Sequence, residues 1–209
     1  MQRTESASVL LGEPLPVDLM NTVVMQRDGA VRDELETSAD IVAWLQRVHD
    51  RIQGATGMIS GAVPGGGEDR AFAQLRELRS ALRRLAMDAT GDPRPPMGGT
   101  MGTRAEAVAA LNGFAKAWPE LAWPRDGEPR QVIRAAGSQP EVAVRLIAHQ
   151  AVELFGGEHG ARLRACLAPN CSFFFVKDHS RREWCSQACG NRARVARHYR
   201  RHRPPRDEL

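Results

Sequence analysis

The chain's four cysteines, Cys166, Cys171, Cys185 and Cys189, are spaced C-x4-C-x13-C-x3-C and lead straight into Gly190-Asn191-Arg192-Ala193-Arg194-Val195-Ala196-Arg197. Two close pairs separated by a loop is the spacing with which a chain wraps one tetrahedral zinc ion. Disulfides are the other use of four cysteines in a small domain. The N-terminus, Met1-Gln2-Arg3-Thr4-Glu5-Ser6, is polar and charged, and no apolar run of signal-peptide length follows it. No run approaches the ~18 apolar residues of a membrane span. These features predict a cytoplasmic chain without a membrane segment, whose reduced thiols favour zinc. The ending Arg206-Asp207-Glu208-Leu209 is similar to a retrieval signal. Without a signal peptide it reads as a solvated charged tail.

A catalytic zinc keeps one coordination position open for water, usually with histidine among three protein ligands. Four thiolates fill the tetrahedron, so the site is expected to hold one structural Zn2+. His179 and His198 could substitute for a cysteine in principle, but a turn and a basic helix give them blander roles. The metal then supplies folding energy that a finger this small cannot draw from its own core.

The formal charge of +4 conceals a split. Residues 160–209 hold twelve Lys/Arg against four Asp/Glu, leaving seventeen against twenty-one in residues 1–159. A basic module on a mildly acidic body is the pattern of a binding tail attached to a regulatory or assembly domain. We therefore divide the chain into 1–157, a helical sensor or assembly domain, and 158–209, the finger with its basic helix.

Apolar spacing makes the body mainly α. Thr37 or Ser38 caps a helix through Ile41, Trp44, Leu45, Val48 and Ile52. Residues 54–67 read as a glycine-rich loop. A second helix runs through Phe72, Leu75, Leu78, Leu82 and Leu85, and residues 91–103 break the chain again. A third carries Val108, Leu111, Phe114 and Trp118. Leu121-Ala122-Trp123 and Gln131 to Arg134 read as a short hairpin turning at Asp126-Gly127. A fourth helix spans about Pro140 to Phe155 on Val142, Leu146, Ile147 and Leu154, and Gly156-Gly157 ends it as a hinge into the finger. In Leu15-Pro16-Val17-Asp18-Leu19-Met20-Asn21-Thr22, polar residues interrupt an apolar run. Asp18 and Asn21 either cap neighbouring helices or line a small effector pocket. No G-x-G-x-x-G, P-loop, nucleophile elbow or H-E-x-x-H occurs, so no enzyme chemistry is assembled.

In the finger, Pro169 and Asn170 suit a tight turn between the first cysteine pair. Ser172 to Val176 reads as a strand, Lys177 to Arg182 as a polar turn, and Glu183-Trp184-Cys185 as the returning strand. Ser186 is an N-cap, with Cys189 in the first turn of the helix it starts. Knuckle, β-hairpin, then helix is a treble-clef arrangement, giving an α+β molecule overall. Some of Phe173, Phe174, Phe175 and Trp184 are expected to cover the zinc. Ala188, Val195 and Tyr199 form a stripe expected to pack on the hairpin. Arg192, Arg194, Arg197, Arg200, Arg201 and Arg203, with His198 and His202, fan over the rest. No acid lies between Glu183 and Asp207. Such a helix repels itself and gains from a polyanion, and guanidinium suits phosphate and the guanine edge. Lys177, Arg181, Arg182, Asn191, Arg192, Arg194, Arg197, Arg200 and Arg201 are the candidate nucleic-acid contacts. Asn191 and Arg192 have two roles open to them, reaching a base edge or locking the finger internally.

The run Trp184-Cys185-Ser186-x-x-Cys189-Gly190-Asn191-Arg192, preceded by Cys166-x4-Cys171, resembles the CGNR zinc finger, named for the residues seen here at 189–192. Val17-Asp18-Leu19-Met20-Asn21-Thr22, and Arg32-Asp33 followed by the capped helix to Leu45, resemble the ABATE domain that accompanies it. The resemblance implies zinc ligation by the four cysteines and DNA contact through the Arg192 helix in a bacterial stress-responsive transcription regulator. One finger offers few contacts, so a homodimer through the helical domain is expected. A small-molecule effector of that domain is a further expected partner. The alternatives are an RNA- or ribosome-associated finger, or a protein-interaction adaptor, because an arginine-rich helix does not choose between polyanions.

Overall fold

The computed structural model describes residues 10–56 and 68–202. The expected loop at 57–67, Arg203 and the 206–209 tail lie outside the described residues. In chain order the elements are α1 Leu15–Met20, β1 Val23–Met25, β2 Val31–Asp33, α2 Ser38–Arg47, α3 His49–Thr56, α4 Glu68–Thr90, α5 Arg104–Phe114, β3 Trp118–Ala122, β4 Arg130–Arg134, α6 Gln139–Gly156, β5 Leu163–Ala165, β6 Phe174–Val176 and α7 Gln187–His202. The described residues are mainly helical, with three two-stranded antiparallel hairpins among them. No helix among the described residues is long and apolar enough to cross a membrane.

Helix α4 is the axis of the body, with α1, α5, α6 and β5 packed around it. Phe72, Leu75, Leu78, Leu82 and Leu85 of α4 meet Leu146, Ile147 and Leu154 of α6 in one core. The helix starts use local chemistry. Thr37 and Asp40, and Thr103 and Glu106, form reciprocal capping boxes, and the Ser138 N–H donates to Glu141.

Several sequence expectations are corrected. The first amphipathic segment turns at Val48 into two helices, which keeps Ile41, Trp44, Val48 and Ile52 all buried. Helix α3 continues through Gly54 to Thr56, so these three residues are helical rather than part of the expected loop. The third helix ends at Phe114; Trp118 belongs to β3 and is 51% exposed. Proline at 119 disfavours helical backbone at the preceding residue, which accounts for the switch. The returning strand at 183–185 does not form. Instead β6 pairs with β5, with the first cysteine pair at the hairpin tip.

The expected hinge is also absent. Leu163, Phe174 and Val176 of the finger are buried in the core of the body itself. The junction after α6 therefore joins two parts that share one hydrophobic interior.

Candidate metal centre and cationic face

Alternation along one strand builds the finger. From Asn170 onward, every second residue ties to the N-terminal segment of the body. Asn170 Nδ2 donates to the Arg27 carbonyl, and Ser172 Oγ donates to Val23 O at 2.8 Å and accepts from Met25 N. The Asn21 amide clasps Phe174 on both sides, donating to its carbonyl at 2.9 Å and accepting from its N–H at 2.8 Å. Val176 N–H donates to Glu13 Oε2 at 2.9 Å. On its other edge the segment bonds to β5 and its flanks, through Cys166 N to Phe173 O and Lys177 N to Arg162 O. Side chains of the body thus complete a strand edge that would otherwise stand open. With both edges taken, nothing remains for 183–185 to pair with.

The same period of two sorts the three phenylalanines. Phe174 enters the body core, where the guanidinium carbons of Arg83 and Arg94 lie 5.6 and 5.5 Å from its ring centroid. Phe175 faces the other way and packs with Cys166, Ala168, Cys171, Cys185 and Cys189, with Phe173, Trp184 and Leu11 at the margin. Trp184 and two of the three phenylalanines therefore cover the metal site. Phe174 holds the finger to the body.

The four cysteine sulfurs lie within 4.8 Å of one another and are all buried. Three edges of the cluster measure 3.4 Å (Cys185–Cys189), 3.7 Å (Cys171–Cys189) and 3.8 Å (Cys171–Cys185) between sulfurs. A tetrahedron with Zn–S bonds of about 2.3 Å has edges of about 3.8 Å. The cluster fits one zinc ion with no position open. Ser186 Oγ accepts from Cys189 N at 3.3 Å, the N-cap expected of it. Hydrogen bonds from the thiols of Cys166, Cys171 and Cys185 push the Cys189 pKa well below the usual thiol value.

Groups around the cluster hold it in place. Arg94, its other edge held by Asp92, donates to the carbonyls of both Cys166 and Cys171. Arg192 Nη2 lies 3.0 Å from Cys189 Sγ and sets a cation beside the thiolate cluster. Gly190 lets the helix lie close to the indole: a Cβ there would sit 3.1 Å from Trp184 Cδ1 and push on it. Asn191 accepts from the Arg194 guanidinium. Of the four residues from Cys189 to Arg192, one supplies a ligand sulfur and two brace it.

The candidate contacts separate by what already holds them. Arg182 donates to Glu13 and to the carbonyls of Val176, Trp184 and Cys185, and its guanidinium carbon lies 4.9 Å from the Phe175 ring centroid. It is a brace. Lys177 is half-buried, while Arg181, Arg194, Arg197, Arg200 and Arg201 are exposed. Only Cys189, Gly190 and Ala193 of α7 are buried. The expected apolar stripe is corrected: Val195 is 54% and Tyr199 71% exposed, and Ala188 is exposed too. Val195 lies about 200° around the helix from Ala193, facing away from the finger.

Asp18 and Asn21 are both buried. Arg51 Nη1 donates to Asp18 at 2.6 Å, and burial raises the Asp18 pKa against that bond. Asn21 has spent its amide on Phe174. Neither supplies a side-chain cap, and Asp18 Oδ1 is buried without a side-chain hydrogen-bond partner among the described residues. Thr22 Oγ1 accepts from Arg79, which also grips Asp33 by two 2.6 Å bonds. The braces Glu13, Arg94 and Ser172 escaped sequence reading. The alternation Asn170, Ser172, Phe174, Val176 was the signal available for them.

A buried four-thiolate centre at a hairpin tip and a helix start, sealed by aromatics, defines a structural zinc finger, here fused to a helical body. Residues 13–158 match the ABATE family, described as "Putative stress-induced transcription regulator", and residues 162–202 match the CGNR zinc finger. The chain belongs to the ABATE family. Both are regulator or zinc-finger families rather than enzyme families. No curated protein matches the chain.

Proposed function

We propose that this protein is a cytoplasmic, stress-responsive transcription regulator that binds DNA through the cationic side of α7. One observation carries the reading. Arg181, Arg197, Arg200 and Arg201 have no hydrogen bond or ion pair among the described residues, whereas the arginines that brace the fold are tied to carboxylates or carbonyls. Helix α7 contains five arginines and no acid. Unneutralised guanidinium groups on α7 and on the turn before it release counterions when they meet a phosphate backbone. The zinc centre holds that helix in place, and Arg192 and Arg182 serve the centre rather than the DNA. A homodimer through the helical body doubles the contact set, and the exposed hairpin residues Trp118, Leu121 and Trp123 give it apolar surface.

The test is fluorescence anisotropy of the zinc-loaded protein with duplex DNA and structured RNA over a salt series. Five arginines (181, 194, 197, 200 and 201) predict a log–log salt slope of about −4 to −5, at about −0.9 per phosphate. Replacing Arg194, Arg197 and Arg201 by alanine makes the slope shallower by about 2.7. Absence of duplex binding at low salt refutes the regulator reading, and tighter binding to RNA makes the finger an RNA module. A monomer throughout the micromolar range in sedimentation equilibrium refutes the dimer.

A further inference from the structure

The base of α7 carries two cavities that share a wall. One, of about 630 Å³, is bordered by Arg181, Arg194, Arg197 and the indole of Trp184. The other, of about 370 Å³, lies between α7 and the tip of the first cysteine pair, bordered by Pro169, Arg200 and again Trp184, Ala193 and Arg197. Trp184 is therefore a half-exposed ridge between two hollows, and of the arginines that rim them Arg181, Arg197 and Arg200 bind nothing else among the described residues. Gly190 and Ala193 keep the helix low beside it, since a Cβ at 190 would meet the indole at 3.1 Å. The zinc core needs an apolar lid here, but Phe173 and Phe175 also cover it. An indole left half-open in a cationic cleft exceeds that need.

We infer that the cleft takes an unpaired nucleotide of a nucleic-acid strand, its base stacked on Trp184 and its flanking phosphates on Arg181, Arg194, Arg197 and Arg200. This rests on the nucleic-acid reading above and specifies which form of the polymer the site takes. A base inside a duplex has both faces covered by its neighbours and cannot lie on an indole. An unpaired one has a free face, and a tryptophan flanked by guanidinium groups is the platform on which such bases stack. Glu183 on the cleft wall adds an acceptor for an exocyclic amino group, as on cytosine or adenine. The geometry favours a strand end, bulge or melted segment over regular B-form DNA.

The experiment uses the full zinc-loaded chain with Trp118 and Trp123, the exposed tryptophans, replaced by phenylalanine. Trp44 is 1% exposed, so emission that a bound strand or acrylamide quenches then reports Trp184. A single-stranded oligodeoxycytidine of roughly 10 nucleotides, its ribose counterpart and a duplex of equal length are titrated at one salt concentration, a length within common single-strand site sizes. The expected result is quenching by the single strand, protection of Trp184 from acrylamide, and affinity at least five-fold above the duplex. The deoxy and ribo arms separate DNA from RNA as the source of the strand. Trp184→Leu removes the preference by roughly five-fold or more, with zinc content checked to show that the finger is folded. Equal or tighter duplex binding without quenching overturns the inference and leaves the DNA-binding reading intact. Binding to neither polymer removes both.

Discussion

Replacing Asn21 by alanine tests how the finger is held to the body. The Asn21 amide supplies both partners of Phe174, 2.9 Å to its carbonyl and 2.8 Å to its N–H, across 153 residues of sequence. Asn21 is 3% exposed and Phe174 fully buried, so water is poorly placed to take over either bond. An orphaned buried donor or acceptor costs ~1–3 kcal/mol. Two orphans put the loss at ~2–6 kcal/mol, by the same figure applied twice. For a chain of this size each kcal/mol lowers Tm by about 2–4 °C, so a fall of at least about 4 °C is expected. Asn21→Asp keeps an acceptor for the N–H but sets a second acceptor against the carbonyl, and should fall between wild type and alanine. Asn112→Ala, at an exposed position of α5, is the control and should stay within about 0.5 kcal/mol. The assay is thermal unfolding followed by far-ultraviolet circular dichroism on zinc-loaded protein, paired with the rate of zinc transfer to a chromogenic chelator. Zinc should leave faster from Asn21→Ala, because the clasped strand leads directly from Cys171. A Tm within about 1 °C of wild type refutes the argument, since even half of the lower bound exceeds that change.

Zinc removal should unfold body and finger together, because Leu163, Phe174 and Val176 lie in the body's core; a helical signal from 15–156 that survives chelation unchanged contradicts this. Arg182→Ala should destabilise by about 3–5 kcal/mol by leaving the Glu13 carboxylate buried without its partner, measured by urea titration. Arg197→Ala, with no bond to lose, should move stability by less than about 0.5 kcal/mol while weakening nucleic-acid binding. Burial works against the Asp33 carboxylate, yet the hydrogen bonds and charge of Arg79 more than offset it and hold its pKa below the usual value. A lowered folded pKa contributes stability above the unfolded value and loses it as pH falls, so this contribution should disappear below roughly pH 4. Asp33→Asn should flatten that part of the stability–pH curve, and an unchanged curve would exclude Asp33 as its source. Gly98 has φ +61°, and a Cβ there would meet Val23 Cγ1 at 2.6 Å, so Gly98→Ala should lower the unfolding midpoint clearly, by roughly 2–4 kcal/mol from overpacking and backbone strain.

What the sequence by itself determined is what neighbouring residues decide among themselves. The cysteine spacing identified the zinc ligands because a knuckle and a helix start are each local structures, closed within a few residues. Apolar periodicity placed the cores of α4 and α6, and Thr37 and Ser186 announced their helix starts, since a cap bonds only to the turn beside it. Only the tertiary structure decided what covers each face. Periodicity shows that Phe173, Phe174 and Phe175 alternate, but not that one side is zinc and the other the α4 core. Composition made Arg182, Arg192 and Arg197 equals; proximity to Glu13, to Cys189 and to nothing at all separated them. Asn21 had the chemistry of a cap and became a clasp, because its partner lies 153 residues away. The Val195–Tyr199 stripe satisfied helical spacing yet faces outward, since spacing defines a face and packing chooses which face is buried. Such choices depend on contacts between distant segments, which no local window of sequence contains.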